Sequence, residues 1–369
     1  MKILLGPARL ALMLLASGVV WGQNIPDTFK EVERVVAIGD VHADYARLTA
    51  VLRQAGLTGA TNHWTGGKTH LVLCGDMIDR GSNSAQVLDL VMALETEAQK
   101  AGGRVHALIG NHEAMNVFGD LRYVPADDFA AYRGADSARL QANQMQIALE
   151  EMQRNGSAPA DVAAWQKQFL AEHPPGWVER GLAFLPSGKY GKWLAQLNSV
   201  VKINDALYLH GGISSKYIKR SLKSMNESVR SELANPGKRA SVAQDEDGPL
   251  WYRGLMLDPE DDAKAGQLVR RILEEYDVKR IVVGHTPNPA VMPRFEARVI
   301  GIDVGLAAAM GGPAAYIVIE GGQYFAVHNG RRLPLPAVGG NILEYLTQAA
   351  ALDPPGSRLR VLLQNRIPR

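Results

Sequence analysis

The chain has 369 residues, 46% hydrophobic and 21% charged, which excludes a disordered or collagen-like chain and leaves room for two domains or one large α/β domain carrying an insertion. Its 40 Lys and Arg stand against 38 Asp and Glu, and Lys2 and Arg9 are the only charges in the first 22 residues. The rest of the chain is therefore neutral, with no global field for nucleic acid or an anionic membrane, and the single cysteine, Cys74, excludes an intrachain disulfide or a thiolate zinc site.

In chain order, residues 1–22 read as a signal peptide. Lys2 and Arg9 precede an apolar run broken only by Ser17 and Gly18, and Val20-Trp21-Gly22 places a cleavage site near Gly22. The run is shorter than the roughly 20 residues of a membrane span. This predicts a secreted or periplasmic protein with no stable membrane insertion after cleavage. Apolar runs at 34–38, 70–74 and 105–109 predict strands. Helices separate them, with Leu48, Val51, Leu52 and Ala55, then Val87, Leu88, Val91 and Leu94, at i, i+3, i+4, i+7. Residues 115–197 read as a helical insertion that could roof a site. Its clearest helices are 141–153 and 161–169, and its breaks are Asn155-Gly156 and Pro174-Pro175-Gly176. Further strands are expected at 207–209, 280–283, 299–302, 314–319 and 323–327, and a helix on Leu268, Ile272, Leu273 and Tyr276. Alternating strands and helices predict an α/β domain over 32–330, its sheets covered by helices, and then a loop-rich tail over 335–369 with one helix at 342–351.

Five of the expected strands end in glycine or a ligand-type residue. Gly39-Asp40-Val41-His42 follows the first, Gly75-Asp76-Met77-Ile78-Asp79-Arg80-Gly81 the second and Gly110-Asn111-His112-Glu113 the third. His210-Gly211-Gly212 and Gly284-His285-Thr286 follow two later runs. The carboxyl ends of strands in open α/β sheets form the crevice where ligands bind. Asp, Asn and His together suit Mn, Fe or Zn. Each fragment alone is commonly a turn or a helix cap; their joint occurrence on successive strand ends points to one site. His63, His70, His106, His173 and His328 lack such context and read as surface or satisfied core residues. Lys216, Lys219, Arg220 and Lys223 share helical spacing, which predicts a helix with one solvated basic face. Cys74, at the end of a strand, reads as a buried small hydrophobe.

With these segments, and Ile302-Asp303-Val304-Gly305 after them, the sequence resembles the calcineurin-like metallophosphoesterase superfamily and, within it, the phosphoprotein phosphatase group. Lys192-Trp193-Leu194 and Trp251-Tyr252-Arg253-Gly254 are similar to the bacterial and Shewanella-like branch. The resemblance implies a β-sandwich core flanked by helices. It also implies two divalent ions (Mn, Fe or Zn), one on Asp40, His42 and Asp76 and one on Asp76, Asn111, His210 and His285. Arg80, Asn111 and Arg253 would bind the phosphoryl group, His112 would protonate the leaving oxygen and Asp79 would orient His112. The implied reaction is phosphomonoester hydrolysis by metal-activated hydroxide. The substrate would be a phosphoprotein (Ser/Thr or Tyr) or, alternatively, a small phosphoester or dinucleoside polyphosphate; a silent binding module is the rival of another class. The sequence departs from the group in three ways. Ala43 replaces the glycine after the first histidine, the Ser-Ala-Pro-Asn-Tyr-Cys loop is absent, and the interval from GNHE to HGG is long.

Overall fold

The structure, a computed structural model, describes residues 25–237 and 241–366; the expected signal peptide lies outside them. Its strands are β1 (Thr28–Phe29), β2 (Arg34–Ile38), β3 (His70–Leu73), β4 (Arg104–Ala107), β5 (Val200–Ile203), β6 (Ala206–Leu209), β7 (Arg280–Val283), β8 (Met292–Arg294), β9 (Val299–Gly301), β10 (Ala315–Glu320), β11 (Gln323–His328) and β12 (Arg331–Pro334). They form two six-stranded sheets, in the orders β1-β5-β6-β7-β9-β8 and β12-β11-β10-β2-β3-β4. Within the first, β6, β7 and β9 run parallel; within the second, β2, β3 and β4 do. A parallel bridge between Leu108 and Asn198 ties the two sheets at the rim where these strands end.

Side-chain alternation explains the layering. Val201, Ile203, Ala206, Tyr208, Val282 and Ile300 share one core with the strands of the other sheet. Val200, Leu207, Leu209, Ile281, Val283 and Val299 point the other way, into a second core. Helices cover the outside of both sheets. They are α1 (Tyr45–Gln54), α2 (Ser84–Lys100), α3 (Asn111–Val117), α4 (Ala126–Ala130), α5 (Ser137–Arg154), α6 (Val162–Glu172), α7 (Trp177–Phe184), α8 (Lys189–Leu194), α9 (Leu222–Ala234), α10 (Gly254–Leu257), α11 (Ala263–Glu275), α12 (Ile342–Ala351) and α13 (Arg358–Arg366). The expected insertion is the run from α4 to α8. Trp193 of α8 donates its indole N–H to Glu95 of α2 at 2.7 Å, tying the insertion to the core.

Two expectations need correction. The stretch after Pro334 carries two helices, α12 and α13, rather than one. Lys216, Lys219, Arg220 and Lys223 do not share a helix face. Ser221 caps α9 by accepting the Ser224 N–H, so the first three lie in the turn before the helix. Lys216 pairs with Asp245 at 2.5 Å, and Lys223 faces Glu227.

Candidate metal centre

Both parallel runs deliver their polar residues to one rim. Asp40 and His42 follow β2, Asp76, Asp79 and Arg80 follow β3, and Asn111 and His112 open α3 after β4. His210 follows β6 and His285 follows β7. The turns that aim them are strained. His42, Ala43, Asp76, Asp79, Arg80 and His285 all have φ between 48 and 68°, a left-handed conformation costing about 1–3 kcal/mol per non-glycine residue. Backbone bonds offset the strain: the N–H groups of Val41 and His42 both donate to the Asp76 carbonyl, and that of Ala43 to Met77. Glycine is needed where chain and carboxylate meet. A Cβ on Gly110 would lie 2.3 Å from Asp76 Oδ1, and one on Gly284 2.5 Å from Asp40 Oδ1.

Two clusters of buried donor atoms result, each within 4.8 Å, and Asp76 belongs to both: His42, Asp76 and His112 in one, Asp76, His210 and His285 in the other. Asn111 joins the second, its Oδ1 2.9 Å from His210 Nε2. Asp40 stands at the margin, its Oδ2 4.0 Å from His42 Nε2 and its Oδ1 accepting the His285 N–H at 3.0 Å. The imidazoles are arranged as ligands are, each giving one ring N–H to a backbone carbonyl and turning the other nitrogen inward. His42 Nδ1 lies 3.2 Å from the Ile78 carbonyl, His210 Nδ1 2.7 Å from that of Cys74 and His285 Nε2 3.1 Å from that of Trp251. With Nδ1 donating, His210 Nε2 presents a lone pair to the lone pairs of Asn111 Oδ1 and of Asp76 Oδ1, 3.2 Å away. A cation between them removes that conflict.

The electrostatics agree. Burial pushes His42 down to about 4 and His285 to about 2, which keeps both rings neutral, the ligating form. Burial opposes ionisation of Asp76; without a cation in the cluster it is the positive charge of His210 and His112 in their protonated forms that outweighs burial and holds the carboxyl well below the usual range. Burial and the charges of Asp303 and Asp76 push Asp40 well up. Asp303, which the sequence offers only as part of a motif, faces Asp40 and keeps one buried oxygen, Oδ2, without a partner. Crowded carboxylates, neutral imidazoles and an orphaned oxygen form an oxygen and nitrogen donor set that fits divalent cations.

His112 is built differently. Its Nδ1 lies 2.8 Å from Asp79 Oδ2, which leaves Nε2 facing the cluster, 3.7 Å from Asp76 Oδ2. Burial alone would lower its pKa; the charges of Asp76 and Asp79 outweigh it and raise it. Arg80 is exposed, its guanidinium 5.1 Å from the centre of the Tyr123 ring, which in turn packs 5.0 Å from His112. Arg253 stands at the rim with NH1 donating to the His285 carbonyl at 2.6 Å.

Other residues fall outside this set. His63 is exposed on Glu97, His70 and His106 pair with each other at 3.0 Å, and His328 is buried on Asp353 at 2.6 Å. His173 bonds the Phe169 carbonyl of its own helix. Cys74 is buried and its thiol pushed up by burial. Glu113 has a role that its place in the strand-end motif does not reveal. Its carboxylate accepts the N–H groups of Gly110, Asp76, Met77 and Ile78 and thereby holds the whole Asp76 turn. A larger groove, about 870 Å³, lies at the opposite ends of the strands beside Lys68 and Arg104, away from these donors.

Known proteins resemble this chain in sequence and in fold. The chain is 29% identical to Shewanella-like protein phosphatase 2 of Arabidopsis thaliana over 283 residues, 75% of this chain and 72% of that protein. It is 28% identical to Shewanella-like protein phosphatase 1 of Plasmodium berghei, over 72% of this chain and 65% of that one. The crystal structure of a cold-active protein-tyrosine phosphatase from a psychrophilic Shewanella species superposes with a TM-score of 0.65 at 28% identity, covering 84% of this chain and 82% of that chain. Residues 33–289, which carry every donor of both clusters, match the calcineurin-like phosphoesterase family. Matched over most of its length, the chain belongs to that family and is a phosphoester hydrolase.

Proposed function

We propose that this protein is a dinuclear metal-dependent phosphoprotein phosphatase, with phosphotyrosine as its leading substrate. The observation that carries the reading is the sharing of Asp76 by two buried groups, His42 and His112 on one side and His210 and His285 on the other, with His112 held on Asp79 through Nδ1. Asp40, His42 and Asp76 would hold one ion, and Asp76, Asn111, His210 and His285 the other; Mn, Fe and Zn all suit this set. Bound there, two divalent ions supply charge for a phosphate dianion and a water nucleophile at neutral pH. Arg80, Asn111 and Arg253 would bind the phosphoryl oxygens, with the guanidinium groups matching them in pairs. As the P–O bond breaks, its electron pair goes to the leaving oxygen, which takes the proton from His112 Nε2, while Asp79 keeps the ring oriented.

The substrate class is supported by the names of the relatives and by a groove of about 360 Å³ beside the centre, lined by His42, Arg80, Asn83, Ala307 and Met310. Its wall sets the Arg80 guanidinium and the Asp44 carboxylate beside apolar Ala307, Ala309 and Met310, which leaves room for an aromatic leaving group on a peptide. The test is turnover on phosphotyrosine, phosphoserine and phosphothreonine peptides, dinucleoside tetraphosphate and p-nitrophenyl phosphate, with Mn²⁺, Fe²⁺ or Zn²⁺. Preference for the phosphotyrosine peptide is expected; preference for the dinucleotide overturns the substrate class, and an inert metal-loaded protein overturns the reaction. Export belongs to the same proposal and is checked by sequencing the mature N-terminus. A start after Gly22 is expected, and a start at Met1 in the cytosolic fraction refutes it.

A further inference from the structure

Behind the Asp79–His112 pair lies a charge that the proposed reaction leaves unused. Arg180, on α7 of the insertion, has no exposed surface. Its Nε donates to Asp128 Oδ2 at 2.8 Å, its NH1 to Asn116 Oδ1 at 2.6 Å, and its NH2 lies 3.5 Å from Asp79 Oδ1. The rings of Phe129, Tyr132 and Phe184 surround it, with centroids 4.7–5.8 Å from the guanidinium carbon. Asp128 is itself fixed, accepting the Ser84 N–H at 2.9 Å at the start of α2. Burying an arginine is unfavourable until its partners offset it, and an apolar side chain would fill an aromatic cage at less cost. The buried Asp128 carboxylate accounts for the Nε side of the guanidinium; the side that reaches Asn116 and Asp79 needs a further reason.

Asn116 supplies the reason. Its Nδ2 donates to both Asp79 oxygens and to the His112 carbonyl, all at 2.9 Å. A side-chain amide can be turned over, and its sense is set by what its oxygen meets. Here the oxygen meets Arg180 NH1; turned over, it would face the Asp79 carboxylate and push it from His112. The path therefore runs from Arg180 to Asn116 and Asp79, and from Asp79 to the His112 ring.

We infer that Arg180 is a positioning residue for the acid: through Asn116 and Asp79 it aims His112 Nε2 at the leaving oxygen, so the insertion is part of the machinery for leaving-group departure. The inference rests on His112 being the acid. Arg180 neither gives nor takes a proton; the proton passes from His112 Nε2 to the leaving oxygen as the P–O pair departs.

The test compares phenyl phosphate, whose leaving phenol has a pKa near that of tyrosine, about 10, with p-nitrophenyl phosphate, whose leaving group needs no proton. kcat, KM and bound metal are measured for wild type, His112→Asn, Arg180→Met and Arg180→Lys. His112→Asn should lose about 10²–10⁴-fold on phenyl phosphate and far less on the nitro compound. Arg180→Met should lower the ratio of the two kcat values about 10–100-fold, as misaimed groups do, with KM and metal content unchanged. Arg180→Lys, which keeps the charge without the fork, should recover part of that loss. Equal losses on both substrates in Arg180→Met, or a ratio in Arg180→Lys no higher than in Arg180→Met, make Arg180 a fold residue and overturn the inference. If Arg180→Met does not fold, the lysine variant decides alone. A His112→Asn variant with no selectivity between the substrates overturns the acid reading itself, and the Arg180 inference with it. Selectivity in that variant alone overturns only the role of Arg180.

Discussion

Asp76 is common to both donor clusters, and its backbone is tied down as firmly as its side chain. The carbonyl takes two N–H groups from the His42 turn, and the amide is held by Glu113. Asp76→Asn should therefore cost more than Asp40→Asn or His285→Asn. The expected loss is over ~100-fold, since even residues behind a metal's ligands cost 10–100-fold. Turnover and metal content of the three variants check it, and two retained metals with near-normal activity in Asp76→Asn contradict the shared-ligand assignment. Glu113 makes a separate prediction, about folding. In Glu113→Gln one amide nitrogen faces N–H donors, leaving two of the four buried groups without an acceptor. At about 1–3 kcal/mol per unpaired group, the variant should lose about 2–6 kcal/mol in urea unfolding; a loss under about 1 kcal/mol means the turn is held otherwise.

At the scale of elements, the contact between α2 and α8 is pH-sensitive. Burial pushes Glu95 up to about 7, against which the Trp193 indole bond works. Because the folded pKa lies above the unfolded one, this side chain costs nothing well below pH 4.5, and its cost grows as the pH rises from there to about 7 and then levels off. Glu95→Gln, whose amide oxygen can still accept from Trp193, should gain about 1–2 kcal/mol over wild type on going from pH 5 to 8, a figure reduced for solvent screening. A difference that stays constant across that range refutes the assignment. The elements also show what the sequence could reveal. Strands β2, β3, β4, β6 and β7 were legible because each apolar run stops at a ligand-type residue. β8 and β12 were not, because each is a short edge strand carrying proline, Pro293 and Pro334, which a ladder tolerates only there. The basic face failed because Ser221 starts α9 one residue after Arg220, a capping choice that charge spacing does not encode. Arg180 was invisible for another reason: a charged residue in an amphipathic helix reads as solvated. Its partners Asp79, Asn116 and Asp128 lie 101, 64 and 52 residues away.

For the whole molecule, the sandwich is what turns five local motifs into one site. Each sheet alone carries only some of the donors: Asp40, His42, Asp76, Asn111 and His112 on one, His210 and His285 on the other. The Leu108–Asn198 bridge and the bond from Ile109 N–H to the Asn198 carbonyl hold the two sets in register at the rim. The strand-end motifs were legible in the sequence as a set of ligands. Which sheet each would join was not, because that depends on strand order, and β10 reaches β2 from nearly 300 residues downstream.

The bond between Asp40 Oδ1 and the His285 N–H closes a separation of 245 residues. Contacts so distant in sequence form late, since the loop entropy must be spent before they return anything. The centre is therefore expected to be a product of folding rather than its nucleus, because a chain with only one sheet formed presents only some of the donors. Metal should leave the refolding rate unchanged and slow unfolding, the pattern of an interaction absent from the transition state. Stopped-flow refolding and unfolding with and without Mn²⁺ measure this, and refolding accelerated by Mn²⁺ means that the rim assembles first. A cell producing this chain would then load it with metal only after the sheets have docked, so the compartment in which folding ends is the one whose metal supply decides which ions it carries.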